Sequence, residues 1–238
     1  MWDMFCGSTN ILIQGNSFDI DGFTRFVENK AYQDKYANGE LVTSYIRILN
    51  NSVCASFADL FQFRASPRCD QFEIRNNTFI MKGPNKNLNT GFVRNCGGYL
   101  QGYKRLVLSN NTFRWEDDAN GLLFLKVNFS CGDTIIENNY FEDVYRINLG
   151  EATHSIRGRQ KAEGHSFIYK GNVKKYSNAF TNSREELYLA GSNLEDVVIE
   201  IMENDFNNSY EAIITKDVRI EKMEYSSLAV NSRSYSIH

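Results

Sequence analysis

One pattern returns through the chain at intervals of about thirty residues, and it limits what the chain can fold into. The strings ILIQGNSF, IRILNNSV, FEIRNNTF, LVLSNNTF, TIIENNYF, FIYKGNV, IEIMENDF and VRIEKMEY share one template. Take the second polar residue of the bend as position zero. The zero column is then Asn16, Asn51, Asn77, Asn111, Asn139, Asn172, Asn204 and, in a degenerate last copy, Met223. Successive spacings are 35, 26, 34, 28, 33, 32 and 19 residues. Three places earlier stand Ile13, Ile48, Ile74, Leu108, Ile136, Tyr169, Ile201 and Ile220. Five places earlier stand Ile11, Ile46, Phe72, Leu106, Thr134, Phe167, Ile199 and Val218, and two places later Phe18, Val53, Phe79, Phe113, Phe141, Lys174, Phe206 and Tyr225. Apolar columns two residues apart are the signature of a strand with one buried face.

The bend has its own chemistry. Position −1 carries Gly15, Asn50, Asn76, Asn110, Asn138 and Gly171 before it degenerates to Glu203 and Lys222. Gly and Asn are the residues that accept a positive φ, so the chain is expected to turn sharply there. The next Asn then points inward and bonds its counterpart one rung away, about 4.8 Å along the stack. The aromatic at +2 stacks in the same way. Second apolar patches, FADLFQF, GLLFLKVNF, VYRINL, ELYLAG and EAIITK, read as a second strand per turn, with loops of varying length absorbing the irregular spacing.

Composition agrees. There are 27 Asn and only 2 Pro in 238 residues, which suits strands joined by tight bends better than helices. A net charge of −3 gives no electrostatic footprint for nucleic acid. No stretch approaches the ~20 apolar residues of a membrane span. Nor does MWDMFCGSTN have the basic and apolar regions of a signal peptide. Five cysteines without a C-x-x-C pair indicate neither a disulfide framework nor a zinc site, and the sequence points to no metal or cofactor. The whole of 1–238 reads as one domain with its repeats over about 11–230.

The repeated I-x-I-x-N-N-T-F strings resemble the right-handed parallel β-helix of the pectate-lyase-like superfamily, with its inward asparagine ladder beside a left-handed bend. The resemblance implies an all-β, single-stranded coil of about eight rungs that interacts with a polysaccharide. Within that superfamily it implies either a non-catalytic spike or adhesin or an enzyme, a polysaccharide lyase or glycoside hydrolase. It also implies an extracellular or virion-surface setting and homo-oligomers such as trimers. The leucine-rich repeat is a rival, because LVLSNNTF fits L-x-L-x-x-N-x-L. That family needs a leucine eight places before the Asn, where this chain has Thr43, Cys69, Tyr103, Cys131, Gly164, Asp196 and Thr215.

Outward positions −4 and −2 are where binding would be written. Arg47 falls beside Glu73, Glu137 beside Lys170 and Glu200 beside Arg219. Such pairs are expected to satisfy one another as cross-strand ion pairs, each worth ~0.2–1 kcal/mol. Val107, Ile135 and Ile168 instead form an outward aliphatic stripe over three rungs, covered by loops or buried against another subunit. The densest polar cluster is EATHSIRGRQKAEGH, residues 151–165, which offers His154, Arg157, Arg159, Lys161 and His165. A lyase needs a base beside a uronate carboxylate and cations to hold the resulting charge, and this loop has both. A plain solvated loop has the same composition.

Enzyme signatures of the superfamily are incomplete. The R-x-P-x-x-R segment of pectate lyases has as its nearest string Arg64-Ala65-Ser66-Pro67-Arg68, with the wrong spacing. The hydrolase series N-T-D, D-D, G-H-G, R-I-K finds only Asp117-Asp118, Gly164-His165-Ser166 and Arg219-Ile220-Glu221-Lys222, without the aspartate trio. Sequons at Asn50, Asn76 and Asn110 fall in the bend and are expected to be buried; others stand at Asn128 and Asn207. Neither flank leaves room for a capping helix, so the chain reads as a piece of a longer protein or a subunit whose ends meet partners.

Overall fold

The computed structural model describes residues 2–3, 10–24, 27–29, 43–57, 61–63, 69–82, 98–101, 103–116, 126–130, 133–142, 146–149, 166–175, 185–190, 198–206, 211–216 and 223–227. Among them there are 22 strands, numbered in chain order, and no helix. The strands fall into three rows. The first row holds β2 (Asn10–Gln14), β5 (Thr43–Leu49), β8 (Cys69–Arg75), β11 (Tyr103–Ser109), β14 (Asp133–Glu137), β17 (Ser166–Lys170), β20 (Val198–Phe206) and β22 (Met223–Ser227). The second holds β3 (Ser17–Thr24), β6 (Ser52–Phe57), β9 (Thr78–Lys82), β12 (Thr112–Glu116), β15 (Tyr140–Glu142) and β18 (Val173–Lys175), which pairs with the last residues of β20. The third holds β1 (Trp2–Asp3), β4 (Val27–Asn29), β7 (Phe61–Phe63), β10 (Gly98–Gln101), β13 (Lys126–Ser130), β16 (Arg146–Leu149), β19 (Glu185–Ala190) and β21 (Glu211–Lys216).

Every pairing in the three rows is parallel, and the chain visits first, second and third row in turn. The result is an all-β, solenoid-like stack in which each strand pairs with its equivalents one circuit before and after. Sequence spacing predicts two strands per turn; the described circuits have three. The residues after the bend, S/T-F-x-x, form a row of their own because the left-handed residue redirects the chain before Thr78, Thr112 and Tyr140.

That bend is uniform. Asn50, Asn76, Asn110 and Asn138 have φ of 55, 57, 56 and 54°, while Gly15 and Gly171 have 68 and 62°. Glu203 keeps the same conformation at 55°, although its side chain gives no such preference. Immediately afterwards the chain turns an asparagine inward. Asn51, Asn77, Asn111, Asn139, Asn172 and Asn204 are all buried to 3% exposure or less. The carboxamide Oδ1 of each accepts two hydrogen bonds, from the backbone N–H and the Nδ2 of the preceding asparagine, at 2.8–3.1 Å. The remaining Nδ2 hydrogen is donated to a carbonyl one circuit back, such as Asn111 to Ile74 and Asn139 to Leu108. A buried amide is tolerated only when so satisfied, and each bond contributes ~0.5–1.5 kcal/mol net.

The apolar columns fill the interior. Ile46, Ile48, Ile74, Leu106, Leu108, Ile136, Ile199 and Ile201 are each fully buried. At +2, Phe79 stacks on Phe113 with centroids 5.0 Å apart, and Phe113 on Phe141 at 5.3 Å. Such pairs add ~0.5–1.5 kcal/mol beyond area burial. Lys174 then takes the aromatic's place, in register between Phe141 and Phe206, and is also fully buried. Its aliphatic stem continues the column.

Two expectations are corrected here. The last copy is not centred on Met223: β22 pairs Met223 with Ile199 and Tyr225 with Ile201, which moves the copy five residues along the template. Glu200 therefore faces Glu224, not Arg219, which lies outside the described residues. The sequon asparagines Asn50, Asn76 and Asn110 are exposed, because a left-handed residue points its side chain out while its successor points in.

Candidate functional site

On the outer face of the first row the strand pairing fixes the columns. At −4 the order is Leu12, Arg47, Glu73, Val107, Ile135, Ile168 and Glu200. The three aliphatic residues expected to form a stripe are thus direct neighbours, about 4.8 Å apart. Alternation predicts that all three face solvent. Ile135 and Ile168 are half-buried, but Val107 is 2% exposed. Within the stripe, Ile135 and Ile168 are therefore the residues with the more exposed side chains.

At −2 the corresponding order is Arg75, Ser109, Glu137, Lys170 and Met202. Ser109 is fully buried and its hydroxyl makes no hydrogen bond. The Nε atoms of Arg75 and Arg47 are also buried without a partner. Covering is therefore concentrated over β11, where a small side chain stands between longer ones on β8 and β14.

Electrostatics on this face differ from the expected cross-strand pairs. Arg47 lies beside Glu73 in register, yet its guanidinium donates to Asn10 Oδ1 at 3.1 Å. Glu73 instead has Arg75 of its own strand at 3.7 Å and accepts from Gln71 Nε2. Lys170 lies beside Glu137, but its ammonium sits 3.4 Å from Glu203. Adjacency sets what is within reach; long side chains then choose among several acceptors. The second row does contain a cross-strand pair, Arg114 with Glu142 at 3.4 Å, and Lys175 lies 5.9 Å from the Tyr140 ring centroid. These exposed contacts are worth ~0–1 kcal/mol each.

The residues singled out for chemistry, His154, Arg157, Arg159, Lys161 and His165, lie outside the described residues, as do Asp117, Asp118 and Gly164. Among the described residues no group of three His, Cys, Asp or Glu could hold a metal ion, and no helix is long and apolar enough to cross a membrane. Sequence columns already contained one feature whose burial they did not announce. Lys174 and Tyr169 belong to one circuit, at +2 and −3, and both are fully buried inside the coil. The signal was the single cation in an aromatic column.

No protein family, curated protein or solved structure matches the chain.

Proposed function

We propose that the chain is a right-handed parallel β-helix of about eight rungs, of the pectate-lyase-like type, serving as a glycan-interacting, non-catalytic spike or adhesin module. One arrangement carries the reading. Ile135 and Ile168 stand in register on the outside of the first row, half-buried, beside the covered Val107 and in front of the polar column Glu137 and Lys170. An isolated enzyme gains nothing from stacked aliphatic side chains on its outer sheet. Coils that pack side by side, as in a trimer, bury them and keep the charged column at the rim. A stiff rod with the same groups repeated at each step also suits a ligand built of repeating sugar units.

Two measurements test this. Ile135→Asp is expected to weaken self-association in sedimentation velocity while leaving the far-ultraviolet spectrum unchanged. A screen of acidic and neutral polysaccharides is expected to show retention of at least one, without unsaturated products absorbing in the ultraviolet. Unsaturated product would turn the assignment to a lyase, and its loss in Arg157→Ala with Arg159→Ala would then place the site in the 151–165 segment.

A further inference from the structure

Four bends carry two adjacent asparagines, and in three of them the acceptor motif for N-linked glycans, Asn-x-Ser/Thr, selects one of the two. It stands at Asn50-Asn51-Ser52, Asn76-Asn77-Thr78 and Asn110-Asn111-Thr112. The ladder asparagines Asn51, Asn77 and Asn111 are followed two places on by Val53, Phe79 and Phe113, so the motif passes them over. In all three bends the selected asparagine is the outward one. Asn50, Asn76 and Asn110 are exposed at φ of 55, 57 and 56°, while the asparagine after each is buried to 3% exposure or less.

The two carboxamides also differ in their free hydrogens. Attaching a sugar takes one Nδ2 hydrogen, and the ladder has none to release. Asn77 Nδ2 donates to Ile48 O at 2.8 Å and to Asn111 Oδ1 at 3.0 Å, and Asn111 Nδ2 to Ile74 O at 2.8 Å and to Asn139 Oδ1 at 3.0 Å. Among the described residues the carboxamides of Asn50, Asn76 and Asn110 make no hydrogen bond, and neither do the hydroxyls of Ser52, Thr78 and Thr112. Those hydroxyl residues open β6, β9 and β12 in register with one another, Ser52 exposed and the two threonines half-buried. Each outward pair of amide and hydroxyl is thus without a task inside the coil.

We propose that Asn50, Asn76 and Asn110 are N-glycosylation sites, and that the bend between the first and second rows is the edge on which the coil carries glycans of its own. This rests on the spike or adhesin reading only in placing the chain outside the cell; it makes no use of Ile135 and Ile168, so either can fail alone. The co-reactant is a lipid-pyrophosphate-linked oligosaccharide presented by a transferase. A C–N bond forms between Nδ2 and the anomeric carbon of the donor, and the bond from that carbon to the pyrophosphate oxygen breaks. The lipid pyrophosphate leaves, and one Nδ2 proton passes to a base of the transferase. The motif is read on the extended chain, and the fold then decides whether the product fits. At the bend it fits, because the substituted amide stays outside and the ladder bonds are untouched. Neighbouring sites lie about 4.8 Å apart, closer than the width of a branched glycan, so one molecule carries glycans on a single site or on alternate circuits.

The test leaves every left-handed residue in place. The full chain is led into the secretory pathway of a eukaryotic cell by a cleavable signal peptide. It is then treated with a glycan-releasing amidase in heavy-oxygen water, which turns each modified asparagine into a labelled aspartate, read by peptide mass mapping on retained and secreted chain alike. Partial label is expected at Asn50, Asn76 and Asn110. Ser52→Ala, Thr78→Ala and Thr112→Ala are each expected to abolish it at their own asparagine with the urea midpoint unchanged, and Thr78→Ala to raise it at Asn50 and Asn110. Asn138 has the same bend at φ 54° and the same exposure, but Tyr140 stands where the hydroxyl residue is needed. Tyr140→Thr completes the motif and is expected to bring label to Asn138; its absence there would refute the bend as an acceptor edge. A chain without label at Asn50, Asn76 and Asn110 overturns the proposal. Label confined to the sequons at Asn128 or Asn207 does so most directly, since the transferase then met the chain and passed the bend over.

Discussion

Replacing Asn139 by Leu removes a carboxamide of nearly the same shape from the middle of the ladder, so the consequence is almost purely one of hydrogen bonding. Four bonds disappear: Nδ2 to Leu108 O at 2.9 Å, Nδ2 to Asn172 Oδ1 at 2.9 Å, and the two that Oδ1 accepts from Asn111 at 3.0 Å. The backbone N–H of Asn139 still reaches Asn172 Oδ1, so that acceptor stays partly satisfied. What is orphaned is the backbone N–H of Asn111, one of its Nδ2 hydrogens, and one acceptance at Leu108 O. At ~1–3 kcal/mol per buried unsatisfied group, discounted because the carbonyl has a second lone pair, the cost is about 2–5 kcal/mol. With a urea m-value of ~2 kcal/mol/M, a loss near the middle of that range moves the midpoint by about 1.8 M. Asn16→Leu provides the internal control. It removes donors from an exposed site, and Asn51 Oδ1 keeps its bond from the Asn16 backbone N–H. No buried group is orphaned, so the expected cost is below ~1 kcal/mol. The assay is urea unfolding followed by circular dichroism, with m compared across variants. Equal shifts for the two substitutions, or no shift for Asn139→Leu, would falsify the account of the ladder as a chain of obligatory buried bonds.

Phe113→Ala removes the ring stacked on both sides and is expected to cost ~3–5 kcal/mol, read from the same unfolding curves. Glu203→Gly is expected to stabilise, because a non-glycine residue at φ 55° carries ~1–2 kcal/mol of strain, whereas the lost Lys170 contact is largely exposed; a lowered midpoint would refute this. Gly171→Ala is expected to do the opposite, since a Cβ at φ 62° would meet Asn138 Oδ1.

Much of the fold was legible because two columns have stereochemical causes. A residue that must be left-handed and a carboxamide that must bridge a circuit leave little choice of residue, so G/N-N marks the bend in six successive circuits, from Gly15-Asn16 to Gly171-Asn172. The last copy was misread for a related reason. Val218, Ile220, Met223 and Tyr225 alternate with two equally apolar phases five residues apart, and only the pairing with Ile199 and Ile201 selects between them. Glu203 shows the reverse: the bend persists where its residue preference has lapsed, because Asn204 still anchors the chain inward to Tyr169 O at 2.8 Å. Charge pairing was legible only as proximity, as Arg47 turning to Asn10 demonstrates. The outer stripe was legible in register but not in exposure. Burial of Val107 depends on what lies over the sheet, and period-two alternation carries no information about that.

Ladder spacing also bears on how the protein is made. Each asparagine donates its N–H and Nδ2 to a partner 26 to 35 residues later in the chain. During synthesis a circuit therefore leaves its donors open only until about one more circuit has emerged, whatever the final length of the coil. Contact separation is set by the circuit and not by the chain, so adding circuits lengthens the rod without adding longer loops to close. Folding in chain order would leave only the newest asparagine without its acceptor, with each completed circuit offering its edge to the next.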